Sequence, residues 1–132
     1  MNNEMNNKYK NLFVLLDRWM MLENQGTHTK EYFEKYDYHK VAIYGMGRLG
    51  RWLVRTLKDA SVDIVYAIDQ RSNIDMLGVD KKNLEDELPD VDVVIVTAIE
   101  DFDDIELKIC SRLNVNVVSL DEVIAELELM RG

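Results

Sequence analysis

Short runs of β-branched and apolar residues alternate with helical periodicity through residues 41–132, and this alternation constrains the fold more than any other feature. Val41–Tyr44, Ile64–Ile68, Val93–Thr97 and Val115–Leu120 are rich in β-branched residues, as strands buried on both faces of a parallel sheet are. A weaker strand is expected around Leu77–Val79. Between the runs, Leu49, Leu53 and Leu57 mark one helix, and Phe102, Ile105, Ile109 and Leu113 mark a second. Val123, Ile124, Leu127 and Met130 mark a third. Asp101 is placed to cap the second helix, and Ser119 with Glu122 has capping-box spacing before the third. Parallel strands need helical crossovers of one hand, so the pattern predicts an α/β, doubly wound parallel sheet of about five strands in the order 3-2-1-4-5.

Residues 1–40 read differently. Leu12, Leu15, Leu16, Trp19 and Leu22 recur at steps of three and four within residues 6–24, which predicts an amphipathic helix stopped by Gly26. Thr27 or Thr29 is placed to cap a second short helix with an aromatic face of Tyr32, Phe33 and Tyr36. No linker, repeat or low-complexity tract separates these helices from residue 41. They form a helical extension, residues 1–40, ahead of a nucleotide-binding type of domain, residues 41–132. The apolar stripe needs a cover, either the same domain or a second copy, and a homodimer through this helix is the expectation.

Charge and composition exclude several roles. The net charge is −9, and residues 72–132 alone hold five basic and sixteen acidic side chains, a net of −11. Such a surface repels phosphate backbones, so nucleic acid is not an expected partner. No apolar run reaches the ~18 residues that span a bilayer, and the start MNNEMNNKYK lacks a signal-peptide centre, so a soluble, cytoplasmic chain without membrane insertion is expected. Cys110 is the only cysteine and His28 and His39 the only histidines, which argues against a disulfide or a zinc site and makes Cys110 a candidate core residue. The acidic run Glu100, Asp101, Asp103, Asp104 and Glu106 stabilises a helix start without needing a metal.

The string VAIYGMGRLG places G-x-G-x-x-G at the end of the first strand and the start of a helix. Gly45 then permits the tight turn, Gly47 lets a pyrophosphate approach the backbone, and Gly50 lets helix and sheet pack closely. Gly45, Met46, Gly47, Arg48, Leu49 and Gly50 are therefore the candidate phosphate-binding segment, its helix N-terminus supplying N–H groups and a positive dipole end. Arg48 is placed for phosphate contact, although Arg48, Arg51, Arg55 and Lys58 also make the polar stripe of that helix. Asp69 ends the second strand, 19 positions beyond Gly50, where a carboxylate hydrogen-bonds an adenosine ribose; the alternative is a salt bridge to Arg71. A ribose-facing Asp69 favours NAD over NADP by about tenfold, and Arg71 softens that preference. Thr97, with Ala98 and Ile99, follows the fourth strand at the edge where ligands collect. No nucleophile–base pairing is evident, so no residue is assigned a catalytic role and hydride transfer by this chain alone is not expected.

The segments RWMMLENQGTHTKEYFEKYDYHKVAIYGMGRLGRWLVRTLKDASVDIVYAIDQ and LPDVDVVIVTAIEDFDDIELKI resemble a small bacterial Rossmann-type NAD(P)-binding domain. Domains of that type occur alone or joined to glycosyltransferase modules in surface-polysaccharide biosynthesis. The resemblance covers most of the chain and implies nucleotide binding, with Gly45, Gly47, Gly50 and Asp69 as ligand contacts and Thr97 beside the pocket. It adds no catalytic residue. The expected function is a binding or regulatory module for NAD(H), with a glycosyltransferase or another enzyme as partner. The alternatives are a subunit of a nucleotide-sugar-modifying enzyme or oxidoreductase whose catalytic groups come from another chain, and a CoA-binding domain.

Overall fold

The computed structural model describes residues 3–132. The first two residues of the start read above lie outside the described residues. Eleven elements follow one another: α1 (Asn3–Asn24), α2 (Lys30–Tyr36), β1 (Lys40–Tyr44), α3 (Arg48–Thr56), β2 (Asp63–Ile68), β3 (Lys81–Lys82), β4 (Val93–Val96), a 3-10 turn (Ile99–Asp101), α4 (Phe102–Cys110), β5 (Asn116–Ser119) and α5 (Leu120–Arg131). The strands form one all-parallel sheet in the order β3-β2-β1-β4-β5, as the alternation predicted. No described helix is long and apolar enough to cross a membrane.

Alternation along the strands divides the core in two. Val41 and Ile43 of β1 and Val93 and Ile95 of β4 face one side, where α1, α2, α3 and α5 pack. Ala42, Val94 and Val96 face the other, with Ile105 and Ile109 of α4. A bulge interrupts this period in β2: Val41 pairs with Ile64 but Ala42 pairs with Tyr66, so Val65 is the extra residue. Val65 and Tyr66 consequently pack on the same side, which strict alternation forbids.

The N-terminal helices belong to the core. Leu15, Trp19 and Leu22 of α1 are buried in the same cluster as the sheet, with Leu12 and Leu16 packed at its margin. Burial of each large side chain contributes about 1.5–3 kcal/mol. The Trp19 indole N–H donates to the Thr29 hydroxyl at 2.8 Å, and that hydroxyl donates to Glu23 at 2.7 Å, which joins α1 to the start of α2. The stripe expected to need a second copy is thus covered by its own chain, and the dimer expectation loses the observation on which it stood.

Other local expectations are corrected. Thr29 is the N-cap of α2 but makes no side-chain capping bond, since its hydroxyl is committed to Trp19 and Glu23. Neither Asp101 nor Ser119 makes one, so the expected cap at α4 and capping box at α5 are absent. The third strand lies at Lys81–Lys82 instead of Leu77–Val79. Leu77 and Gly78 have φ of 51° and 82°, and the Val79 N–H bonds Met76, so that stretch is a turn and the chain reaches the sheet only beyond it. Cys110 is exposed, one step past buried Ile109 on α4, and is not a core residue. Leu113 lies beyond the end of α4 yet still packs on its cluster, and Met130 is exposed.

Candidate functional site

Strand β1 is central in the sheet, with β2 on one side and β4 on the other, so the chain leaves β1 and β4 in opposite directions at their carboxyl ends. That divergence opens the crevice in which ligands of doubly wound sheets bind. A cleft of about 370 Å³ lies there, between Gly45, Gly47, Arg48 and Leu49 on one side and Thr97 to Asp101 on the other. Arg71 stands at its rim, and Lys8 and Leu12 of α1 complete the wall.

The three glycines have different reasons to be glycine. Gly45 has φ of 99°, and a Cβ there would stand 2.6 Å from the Thr97 hydroxyl oxygen. That hydroxyl donates to the Gly45 carbonyl at 2.7 Å, so Thr97 pins the turn to the end of β4. At Gly50 a Cβ would lie 2.1 Å from the Gly45 carbonyl oxygen. Both glycines are required by the fold itself. Gly47 is not: its φ of −70° suits any residue, and a Cβ would meet only the exposed end of Arg71, at 3.5 Å. The backbone at Gly47 is open on the side of the cleft.

The first intrahelical bond of α3 runs from the Arg51 N–H to the Gly47 carbonyl at 3.0 Å, which leaves the N–H groups of Arg48, Leu49 and Gly50 ahead of the ladder. Leu49 buries its side chain in the core, whereas Arg48 is exposed beside the cleft. Met46 differs from the other turn residues. Its side chain is fully buried and its N–H donates to Asp69 at 2.8 Å, so that amide is already engaged.

Asp69 is buried under the turn. One carboxylate oxygen accepts from the Arg71 N–H at 2.9 Å and its Nε at 3.0 Å; the other accepts from Met46 and from Arg71 Nη2 at 2.7 Å. Burial raises the carboxyl, but these bonds and the guanidinium charge outweigh it and hold the pKa at about 2. Of the two readings offered by the sequence, the salt bridge to Arg71 is the one present. The carboxylate sits at the end of β2 with its acceptor positions filled by Met46 and by Arg71, and it is the 60% exposed Arg71 side chain, not Asp69, that lines the cleft.

The sequence did not point to Lys8 or Leu12 as cleft residues, Leu12 being read only as part of the apolar stripe of α1. The signal was present: Lys8 extends the stripe of Leu12, Leu15, Trp19 and Leu22 by one turn, and α1 lays that stripe across the core and on to the cleft. His28 and His39 lie apart from this cleft, paired with Glu23 and Asp37. Comparison of the chain with protein-family models, with curated proteins and with solved structures gives no match.

Proposed function

We propose that the chain is an adenine-dinucleotide-binding module that takes NAD(H) in the β1–β4 cleft, with the pyrophosphate over Gly47. The observation that carries this reading is the unequal demand for glycine. Gly45 and Gly50 answer to steric contacts within the protein, and Gly47 answers to none of comparable force, yet it faces the cleft. A third glycine at that place makes physical sense when a ligand's backbone must come within contact distance. Lys8 and Arg48 bring positive charge to the cleft, beside an Arg71 that is paired with Asp69 and across from Glu100 and Asp101. The same cleft contains Glu100 and Asp101 but no histidine or cysteine, which favours binding or regulation over chemistry performed by this chain alone. A part in surface-polysaccharide biosynthesis, beside a glycosyltransferase partner, follows from the resemblance alone.

Cofactor choice turns on the Asp69–Arg71 pair. A ribose diol must take acceptor positions that Arg71 now holds, whereas a 2′-phosphate gives the released guanidinium a new partner. NAD(H) is the proposed ligand, with a margin over NADP(H) narrowed by Arg71. Arg71→Ala should free Asp69 and widen that margin about tenfold, or ~1.4 kcal/mol. Titration calorimetry with NADH, NADPH, UDP-glucose and CoA tests both points. NADH should bind the unaltered protein, and Gly47→Val should abolish binding while the protein stays folded, with the melting temperature lowered by a few degrees because valine is a poor N-cap for α3. Absence of heat with all four compounds would refute the reading, and binding of CoA or UDP-glucose alone would reassign the ligand.

A further inference from the structure

Helix α1 is apolar over more than the face it buries. Tyr9, Phe13, Leu16 and Met20 follow one residue behind Lys8, Leu12, Leu15 and Trp19 in each turn and form a second stripe at steps of four, three and four. Phe13 is 75% exposed, Met20 70% and Tyr9 62%, with Leu16 half-buried at the margin of the core. Trp52 of α3, itself half exposed, extends this patch across a groove of about 550 Å³ between the two helices. A helix that is apolar around most of its circumference is a helix that is covered, and contiguous exposed aromatics mark a contact surface.

We propose that this face pairs with the same face of a second copy, α1 lying antiparallel to the partner's α1 across a two-fold axis. This interface is distinct from the Leu15–Trp19–Leu22 stripe, which the chain covers itself, and it does not depend on the nucleotide reading. Three observations select the occupant. The four-three-four spacing puts these side chains on one face suited to helix-on-helix packing, and antiparallel order layers Tyr9 on the partner's Met20 and Phe13 on the partner's Leu16.

Charge then chooses the direction. Lys10 follows Tyr9 and Asp17 follows Leu16, so both lie on the same flank of the seam. Antiparallel order sets Lys10 against the partner's Asp17, twice by symmetry. Parallel order would set that flank beside the partner's Leu12 and Trp19, which already belong to its core. Arg18 is paired with Glu128 of its own chain and Lys8 lies at the cleft, so the charges left beside the seam are one of each sign, Lys10 and Asp17. Finally, Tyr9, Phe13, Leu16, Met20 and Trp52 together offer on the order of 500 Å² per protomer, most of the ~800 Å² of a standard-size interface.

Light scattering on the full chain at tens of micromolar should give twice the 15.4 kDa of one chain. Phe13→Glu should give the monomer with unchanged circular dichroism, because Phe13 is exposed in the single chain; Met20→Lys serves as the second variant. Lys10→Asp should weaken the dimer about tenfold, and Lys10→Asp combined with Asp17→Lys should restore it. A monomeric unaltered protein, or a folded Phe13→Glu and Met20→Lys that remain dimeric, overturns the interface. A Lys10→Asp variant as tightly dimeric as the original overturns the antiparallel order.

Discussion

Strand β1 is held by an aspartate at each end, and the two attachments differ. At the amino end, one oxygen of exposed Asp92 accepts the N–H groups of His39 and Lys40, both at 2.8 Å, while the Asp92 N–H donates to the Lys40 carbonyl at 2.7 Å. This ties the entry of β4 to the entry of β1 through backbone donors alone. At the carboxyl end Asp69 is 6% exposed, accepts the Met46 N–H and is held by a largely exposed arginine. One carboxylate thus completes a sheet edge in solvent, and the other supports a turn that opens on a cleft. In a parallel sheet only the carboxyl edge has diverging loops at the switch point, so buried charge and close backbone packing are concentrated there.

The largest effect is expected from one added carbon at the carboxyl end. Gly50→Ala puts a Cβ 2.1 Å from the Gly45 carbonyl, and backbone cannot swing aside as a side chain can. A loss of about 3 kcal/mol or more is expected in urea unfolding, enough to leave the domain largely unfolded if its total stability is at the low end for its size. A well-folded Gly50→Ala protein of unchanged midpoint would show that the turn is looser than this contact requires.

Acid reaches both aspartates, since the Lys40 and His39 N–H groups also hold the Asp92 carboxyl below its ordinary value, but only the shift at Asp69 is large. Asp69 has its folded pKa lowered from 3.8 to about 2, so the carboxylate's contribution is complete above pH ~4 and is lost as pH falls from there towards 2. Asp69→Asn should cost about 1–2 kcal/mol at neutral pH, the exposed guanidinium being partly screened, and should flatten stability against pH in that window. Equal acid sensitivity in the variant and the original would place the acid-labile contact elsewhere. The smallest effect is expected at the other end of β1. Asp92→Ala removes two exposed hydrogen bonds and should cost about 0.5–1 kcal/mol in the same unfolding experiment.

The placement of the candidate residues was legible where local chemistry dictates it. Gly45, Gly47 and Gly50 at the end of β1, Asp69 at the end of β2 and Thr97 at the end of β4 occupy the places that strand–turn–helix patterning assigned them. What Thr97 and Met46 do there was not legible. The Thr97 hydroxyl braces the Gly45 turn and the Met46 amide is occupied by Asp69, and both facts depend on contacts across 52 and 23 residues of chain. Asp69 and Arg71 are only two residues apart, yet their pairing needed the rotamers set by the buried strand end.

The α/β class, the strand order and the glycine turn could be read along the chain, because period, composition and crossover handedness leave few alternatives. Long-range packing settled that α1 is a wall of the core and of the cleft, that the edge strand pairs beyond the Leu77–Gly78 turn, and which stripe of α1 remains uncovered. An amphipathic helix carries the same pattern whichever surface it covers, and an edge strand of two residues has almost no period. The energy that settles both comes from which distant faces fit together, which no window of the chain contains.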